Sequence, residues 1–342
     1  MSRPAAATEQ RLIEIIRRAA RRAPAVRVGI GDDCAVLEPA AGSALLATTD
    51  LLIEDIHFRR RWATPTDIGW KSLAVNVSDI AAMGGRPRWG LIALACPEAV
   101  TLEEAEAFYS GVQALAAEHG VAIVGGDTSA SPKGWIINVT LLGEAVRAPL
   151  LRSTARVGDV IAVTGSLGRS AAGLALLDTA PAPAGLAEEA RADVTAAHLR
   201  PRPRTREGLW LSEAGGVTAM IDLSDGLATD LGHLCEESRT GARVDLHRVP
   251  VEPSVHAVAR ALDRDALAWA TGGGEDYELL LTTAPDAFER LAAGLASATG
   301  TRLTAVGHMT SADEGIRYLD SAGRAVSVEP GFEHFVTGSA HA

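Results

Sequence analysis

From residue 28 to about residue 144 the chain alternates short apolar runs with longer stretches of helical periodicity. Runs at 45–49, 91–96, 121–124 and 136–144 are interleaved with 67–83 and 102–119, which are long enough for helices. Over 67–83, Trp70, Leu73, Ala74, Val77, Ile80 and Ala81 recur at spacings of three and four and predict one buried stripe. Ser72, Asn76, Asp79 and Met83 form a second stripe, so Asp79 is expected to face a site while the opposite side packs. A polar joint at 147–159 leads into a second series at 160–164, 170–177, 205–214, 217–222, 226–237 and 277–283. The segment 179–187, with Pro181, Pro183 and Gly185, reads as a loop, and Pro201 and Pro203 mark a further break. At the N-terminus, Leu12, Ile15, Ile16 and Ala19 predict a surface helix over 9–23. The pattern is that of an α/β (α+β) protein with a domain boundary near Ala148, giving domains at 1–148 and 149–342.

Composition narrows the function classes. A chain of 342 residues has room for two domains, and 47% hydrophobic with 22% charged residues excludes wholesale disorder. No apolar run approaches the roughly 18 residues of a membrane span, so no membrane partner is expected. Lys plus Arg is 32 against Asp plus Glu 43, and the resulting −11 argues against a nucleic-acid partner held by phosphate neutralisation. Lys71 and Lys133 are the only lysines and neither follows a glycine, which excludes a Walker A loop. Cys34, Cys96 and Cys235 are far apart, without a C-x-x-C pair, so neither a disulfide framework nor a zinc site is indicated. A reducing compartment, the cytoplasm, is the expectation.

Five acidic clusters stand out, and they are expected at turns rather than on helix faces: 31–33, 48–50, 125–128, 222–226 and 272–276. Any one of them is an ordinary turn or helix cap, since Asp, Ser and Gly favour those positions. Four of the five follow apolar runs, however, and ligands in open α/β sheets collect at strand ends. Carboxylates and hydroxyls gathered there call for cations, and such hard oxygen ligands suit Mg²⁺. Other schemes find no support. The chain has no G-x-S-x-G elbow, no H-E-x-x-H, and no G-x-G-x-x-G after a strand.

Taken in order, Gly29-Ile-Gly-Asp-Asp-Cys-Ala35, Thr48-Thr-Asp50 with His57-Phe58, the segment from Trp70 to Asp79, Gly125-Gly-Asp-Thr128, Asp222-Leu-Ser-Asp-Gly226 and Gly273-Gly-Glu-Asp-Tyr-Glu-Leu279 resemble the thiamine-monophosphate kinase family. The resemblance runs from about Ile30 to Phe332. It implies an aminoimidazole ribonucleotide synthetase-like architecture, in which an N-terminal sheet domain binds ATP and metal and dimerises, and a C-terminal α/β domain completes the nucleotide and substrate site. It also implies a homodimer, and ATP bound without a Walker A loop.

The same resemblance assigns Asp33, Thr48, Thr49, Asp50, Asp79, Asp127, Asp222 and Asp225 as ligands of several Mg²⁺ ions. Nucleotide contacts would come from Tyr109, Gly126, Asp127, Arg152 and Ser224, and contacts to the acceptor from His57, Glu275 and Phe332. The implied reaction is direct in-line transfer of the γ-phosphoryl of ATP to thiamine monophosphate. Asp50, Asp79 and Asp127 act through metal ions and no residue is assigned as general base. The alternatives are another ATP-dependent synthetase of that superfamily, or a nucleotide-binding sensor without turnover. Two departures from the family pattern are Thr154 in the Arg152-Ser-Thr-Ala-Arg156 turn, where Gly is usual, and Arg169, where an acidic residue is common.

Overall fold

The computed structural model describes residues 25–28, 35–145, 147–181 and 183–331. The helix expected at 9–23, the acidic cluster at 31–33, Cys34 and Phe332 lie outside the described residues. The chain divides into two units. The first comprises the described residues up to Pro149 together with Leu199–Leu209, and the second comprises Leu150–His198 and the chain from Trp210 onward.

In the first unit β1 (Val26–Val28) and β2 (Val36–Leu37) form a small antiparallel pair. There follow β3 (Ala44–Ile53), α1 (Pro65–Ala82), β4 (Arg86–Cys96), α2 (Leu102–His119), β5 (Ala122–Ala130) and β6 (Ile136–Ala145). The four long strands form one sheet in the order β3-β6-β4-β5, antiparallel except for β4 with β5. Both helices begin at threonines that form capping boxes, Thr64 with Asp67 and Thr101 with Glu104, satisfying N–H groups that the first turn cannot. The register sets Leu46, Leu52, Ile137, Val139 and Leu141 on one face, all of them buried, and α1 packs on β3, β4 and β6.

The segment Leu199–Leu209 groups with this unit, a departure from the continuous second domain expected over 149–342. Its attachment is specific. Trp70 Nε1 donates to the Pro201 carbonyl at 2.8 Å, Arg200 pairs with Asp67, and Thr205 Oγ1 lies 3.0 Å from His119 Nδ1.

The second unit contains β7 (Val160–Thr164), α3 (Arg169–Asp178), α4 (Glu188–Leu199), the second half of α5 (Thr205–Ala214), β8 (Val217–Asp222), α6 (Leu227–Ser238) and β9 (Thr240–Asp245). It continues through α7 (Pro253–Leu262), α8 (Ala266–Gly272), β10 (Leu279–Thr283), α9 (Pro285–Thr299), β11 (Leu303–Ser311), β12 (Ile316–Leu319) and β13 (Ala325–Val326). The strands form a sheet in the order β13-β12-β9-β11-β7-β10-β8, in which only β12 with β9 is parallel. Its core joins Ile161, Val163, Ile221, Leu231, Leu234 and Val244. A smaller cluster of Ala172, Val194, Val255 and Val258 binds α3, α4 and α7 together. The expected α/β (α+β) class holds, with the antiparallel α+β character dominant in both units.

Trp70→Phe keeps most of the ring's bulk but removes the donor to Pro201. It is expected to lower the unfolding free energy by about 1–2 kcal/mol in urea denaturation, whereas an unchanged midpoint would show that the Leu199–Leu209 segment is not tied down there.

Candidate functional site

β3 is an edge strand whose polar residues alternate between the two faces of its sheet. Thr48 and Asp50 turn toward α1, where the Thr48 hydroxyl donates to Asp79 Oδ2. The Asp50 carboxyl is raised from its ordinary value of 3.8 to about 7, first by burial and then by the negative charge of Asp79. Its Oδ2 is buried and has no hydrogen-bond partner among the described residues. An acceptor without a donor beside a second carboxylate is unfavourable, and a divalent cation relieves both conditions. Two carboxylates with a hydroxyl are hard oxygen donors, so the residues present fit Mg²⁺.

Thr49 lies on the opposite face. Its Oγ1 accepts from Asn138 Nδ2 at 2.9 Å and lies 3.1 Å from Thr140 Oγ1, while Asn138 also donates to the Asp50 carbonyl at 3.0 Å. Asp127 is exposed on the other edge strand, β5, in the register row Leu51, Asn138, Ala93, Asp127. Asp50 belongs to the neighbouring row with Val139, Ile92 and Gly126. The structure thus brings Thr48, Asp50 and Asp79 together and places Thr49 and Asp127 in rows of the other face.

Two expectations are corrected by this geometry. The clusters at 48–50 and 125–128 lie inside β3 and β5 rather than at turns, because edge strands leave polar side chains access to water. The second stripe of α1 does not face a site as a whole, since Ser72 and Asn76 are fully buried and Asp79 and Met83 alone in that stripe are half-buried. That helix packs on the sheet and on α2 at once, which leaves little of its surface free.

In the second unit the loops 222–226 and 272–278 are laced side by side. Leu223 N donates to the Glu278 carbonyl at 2.8 Å, Tyr277 N to the Leu223 carbonyl at 2.9 Å, and Glu275 N to the Ser224 carbonyl at 2.7 Å. The approach is close enough that a Cβ on Gly274 would sit 2.6 Å from the Ser224 carbonyl oxygen. Asp222, Ser224, Asp225 and Glu275 are therefore brought into one neighbourhood. Asp230, at the start of α6, accepts from Asp225 N at 3.1 Å and Gly226 N at 3.0 Å and shapes the first loop. Ligand atoms of Asp225, Asp230 and His233 lie within 4.8 Å of one another. Gly331 N donates to Thr229 Oγ1 at 2.9 Å, so the residue before Phe332 rests on α6.

The remaining expected contacts are placed as follows. His57, in the turn after β3, accepts from Ile53 N at its Nδ1 (3.0 Å), and its carbonyl accepts from Lys71 Nζ at 3.2 Å. Tyr109 is 1% exposed in α2, edge-on to Phe108 at 5.1 Å, with its hydroxyl buried and its pKa raised by that burial. Arg152 is exposed, and its carbonyl accepts from Ser238 Oγ at 2.7 Å. Thr154 does not have the positive φ that would demand glycine, and its hydroxyl donates to the Thr218 carbonyl at 2.5 Å. Arg169 pairs with Asp193 of α4. Sequence reasoning missed Asn138, Asp230, Ser170 and His198. Asp230 carried a signal, an acid four residues past the glycine that opens a helix, whereas the others act across long sequence separations.

The AIR synthase related protein family matches over residues 31–145 with its N-terminal domain and over 156–320 with its C-terminal domain. Thiamine-monophosphate kinase of Salmonella typhimurium is 39% identical over 314 residues, covering 91% of this chain and 93% of that protein. The crystal structure of thiamine-monophosphate kinase from Stenotrophomonas maltophilia aligns with a TM-score of 0.80 at 35% identity, covering 95% of this chain and 100% of the other. AaThiL complexed with AMPPCP and TMP aligns with a TM-score of 0.76 at 32% identity, covering 87% and 89%.

The Asp50 environment sets a pH dependence. Its folded pKa of about 7 lies above the ordinary 3.8, so the stability associated with protonated Asp50 is present below about pH 4 and is lost as pH rises toward 7. In metal-free protein Asp50→Asn is expected to melt above the parent at pH 8, with the gap closing toward pH 4–5. Thermal melts across that range measure it, and a gap that does not change with pH would show that Asp50 is not under charge strain.

Proposed function

The chain belongs to the thiamine-monophosphate kinases of the AIR synthase related family, and from that premise we propose that it transfers the γ-phosphoryl group of ATP to thiamine monophosphate, yielding thiamine diphosphate and ADP. The observation that carries this reading within the chain is the pairing of Asp50 with Asp79, with a buried carboxylate oxygen left over. Donor and acceptor are both anions, so their approach is opposed by charge and a site for it depends on cations more than on a base. The acceptor phosphate loses its second proton near pH 6 and is mostly dianionic at neutral pH. It attacks directly, and no residue is assigned to deprotonate it.

Thr48, Thr49, Asp50, Asp79 and Asp127 of the first unit, Asp222 and Asp225 of the second, and Asp33 are assigned as ligands of several Mg²⁺ ions. When bound, Mg²⁺ supplies charge neutralisation for both phosphates and for the departing ADP. Nucleotide contacts are assigned to Tyr109, Gly126, Asp127, Arg152 and Ser224, and acceptor contacts to His57, Glu275 and Phe332. Glycine at 126 lets the backbone approach a phosphate, and the Arg152 guanidinium can fork onto phosphate oxygens. The Asn138 amide, bonded to both Thr49 and the Asp50 backbone, holds the strand that presents these oxygens. ATP and metal binding and dimerisation are thus assigned to 1–148, and completion of the nucleotide and acceptor site, with Arg152, Asp222, Ser224, Asp225 and Glu275, to 149–342.

The partner proposed for the first unit is a second copy of the chain. Leu45 and Leu51 on the outer face of β3 are 54% and 48% exposed, while α1 covers the inner face. Two such apolar positions on an edge strand suit an isologous interface. Among the described residues no helix is long and apolar enough to cross a membrane. The location proposed is the cytoplasm, in keeping with free, buried Cys96 and Cys235.

Purified protein with ATP and Mg²⁺ is expected to release ADP with thiamine monophosphate and not with thiamine or aminoimidazole precursors. Equal turnover of thiamine, or release of AMP, would reject the reading. Asp50→Asn and Asp79→Asn are each expected to lower kcat by about 10²-fold or more, because an amide is a weaker Mg²⁺ ligand of the same shape. Near-normal rates in both variants would remove the pair from the mechanism.

A further inference from the structure

Glu275 occupies a strained position for a residue with a side chain, with φ at +67°, and its side chain is one quarter exposed. What it leans on is buried. His198, at the end of α4 and 4% exposed, brings Nδ1 to 3.2 Å from Glu275 Oε2, and Ser170 Oγ of α3 lies 3.0 Å from the same nitrogen. One tautomer satisfies both neighbours. Nδ1–H donates to the carboxylate and the serine oxygen lies beside the same proton, whereas an unprotonated Nδ1 would face Oε2 lone pair to lone pair.

The imidazole is also held from behind. A Cβ on Gly173 of α3 would meet the Val194 carbonyl oxygen at 2.1 Å and His198 Cβ at 3.0 Å, so glycine there lets α4 lie directly on α3. Arg169 pairs with Asp193, and Asp193 accepts from Ser254 Oγ at 2.6 Å, which ties α4 to α3 and α7. Asp276, the next residue after Glu275, accepts from Gly168 N at 2.6 Å and Ser170 N at 3.1 Å at the start of α3. Two adjacent acids thus reach two packed helices, Asp276 holding the start of α3 through backbone N–H groups and Glu275 meeting α4 through an imidazole.

We propose that His198 is a positioning residue for the acceptor: its Nδ1–H fixes the Glu275 carboxylate in the orientation that receives the aminopyrimidine or thiazolium part of thiamine monophosphate. This rests on the reading of Glu275 as an acceptor contact. A glutamate left free would lose side-chain entropy on binding, and the buried imidazole removes that loss in advance. His198 does not touch the nucleotide in this account, so its influence falls on one substrate.

The test is a cycle of His198→Leu, Glu275→Gln and the double variant, with His198→Asn as the conservative control because its amide N–H occupies the Nδ1 position. His198→Leu is expected to raise the KM for thiamine monophosphate about tenfold, with the KM for ATP and kcat within about twofold. His198→Asn should recover most of that loss, and in the Glu275→Gln background His198→Leu should add less than twofold. If the leucine variant does not fold, His198→Gln replaces it, since its amide reaches the Nε2 position instead. Additive effects, an equal rise in the KM for ATP, or an asparagine variant as impaired as leucine would overturn the proposal. Histidine ¹⁵N spectra of the parent should show His198 protonated at Nδ1 and displaced in Glu275→Gln. That readout decides the contact even if the parent does not turn over thiamine monophosphate, a result that would count against the acceptor reading itself.

Discussion

Like charges brought close in a partly dry environment repel, and a fold that holds them there needs a counter-charge. Asp50 and Asp79 are in that situation. One comes from the middle of an edge strand and the other from a helix packed on the same sheet, and the Thr48 hydroxyl is spent on Asp79. The capping boxes of α1 and α2, the closely packed helix pair and the ten-residue register of β3 on β6 all serve to hold α1 at a fixed height over β3. Without that rigidity the two carboxylates would move apart and the reason for a cation would vanish.

The second unit solves a different problem, the placing of flexible loops. The 222–226 and 272–278 loops support each other through three backbone bonds, and each is anchored at depth by an acid that points inward, Asp230 for the first and Asp276 for the second. Ser224, Asp225 and Glu275, all half-buried, lie on these supported loops. Anchoring acids look like any others in the sequence, and their partners tell them apart.

Much of this was legible before the structure. Helices 102–119 and 205–214 and strands 160–164 and 217–222 have the expected limits, because threonine caps, a proline break and clean apolar runs mark their ends. Some elements that escaped, such as β9, β11, α7 and α9, carry ordinary apolar patterns that simply went unread, whereas others are weak. α4 buries only Val194 and His198, β12 and β13 are four and two residues long, and α8 is seven. The acidic motifs pointed to the chemistry, but not to the face each residue takes. Thr48, Thr49 and Asp50 are consecutive in the chain and are divided between two faces by the alternation of a strand. The link from Ser170 through His198 to Glu275 had no local signal at all, since it joins two helices and a loop that only tertiary packing brings together.

We propose the Asp50–Asp79 pair as a cation site in which Asp50, its carboxyl raised to about 7, carries a proton that the cation displaces. Calorimetric titration of Mg²⁺ or Mn²⁺ into metal-free protein near pH 6.5, repeated in buffers of different ionisation enthalpy, measures the protons released on binding. Release of on the order of one proton per chain is expected from the parent, as binding draws the Asp50 pKa down from about 7. Asp50→Asn should bind more weakly and lack that release. Binding by the parent without proton release, or equal affinity and equal release in Asp50→Asn, would contradict it.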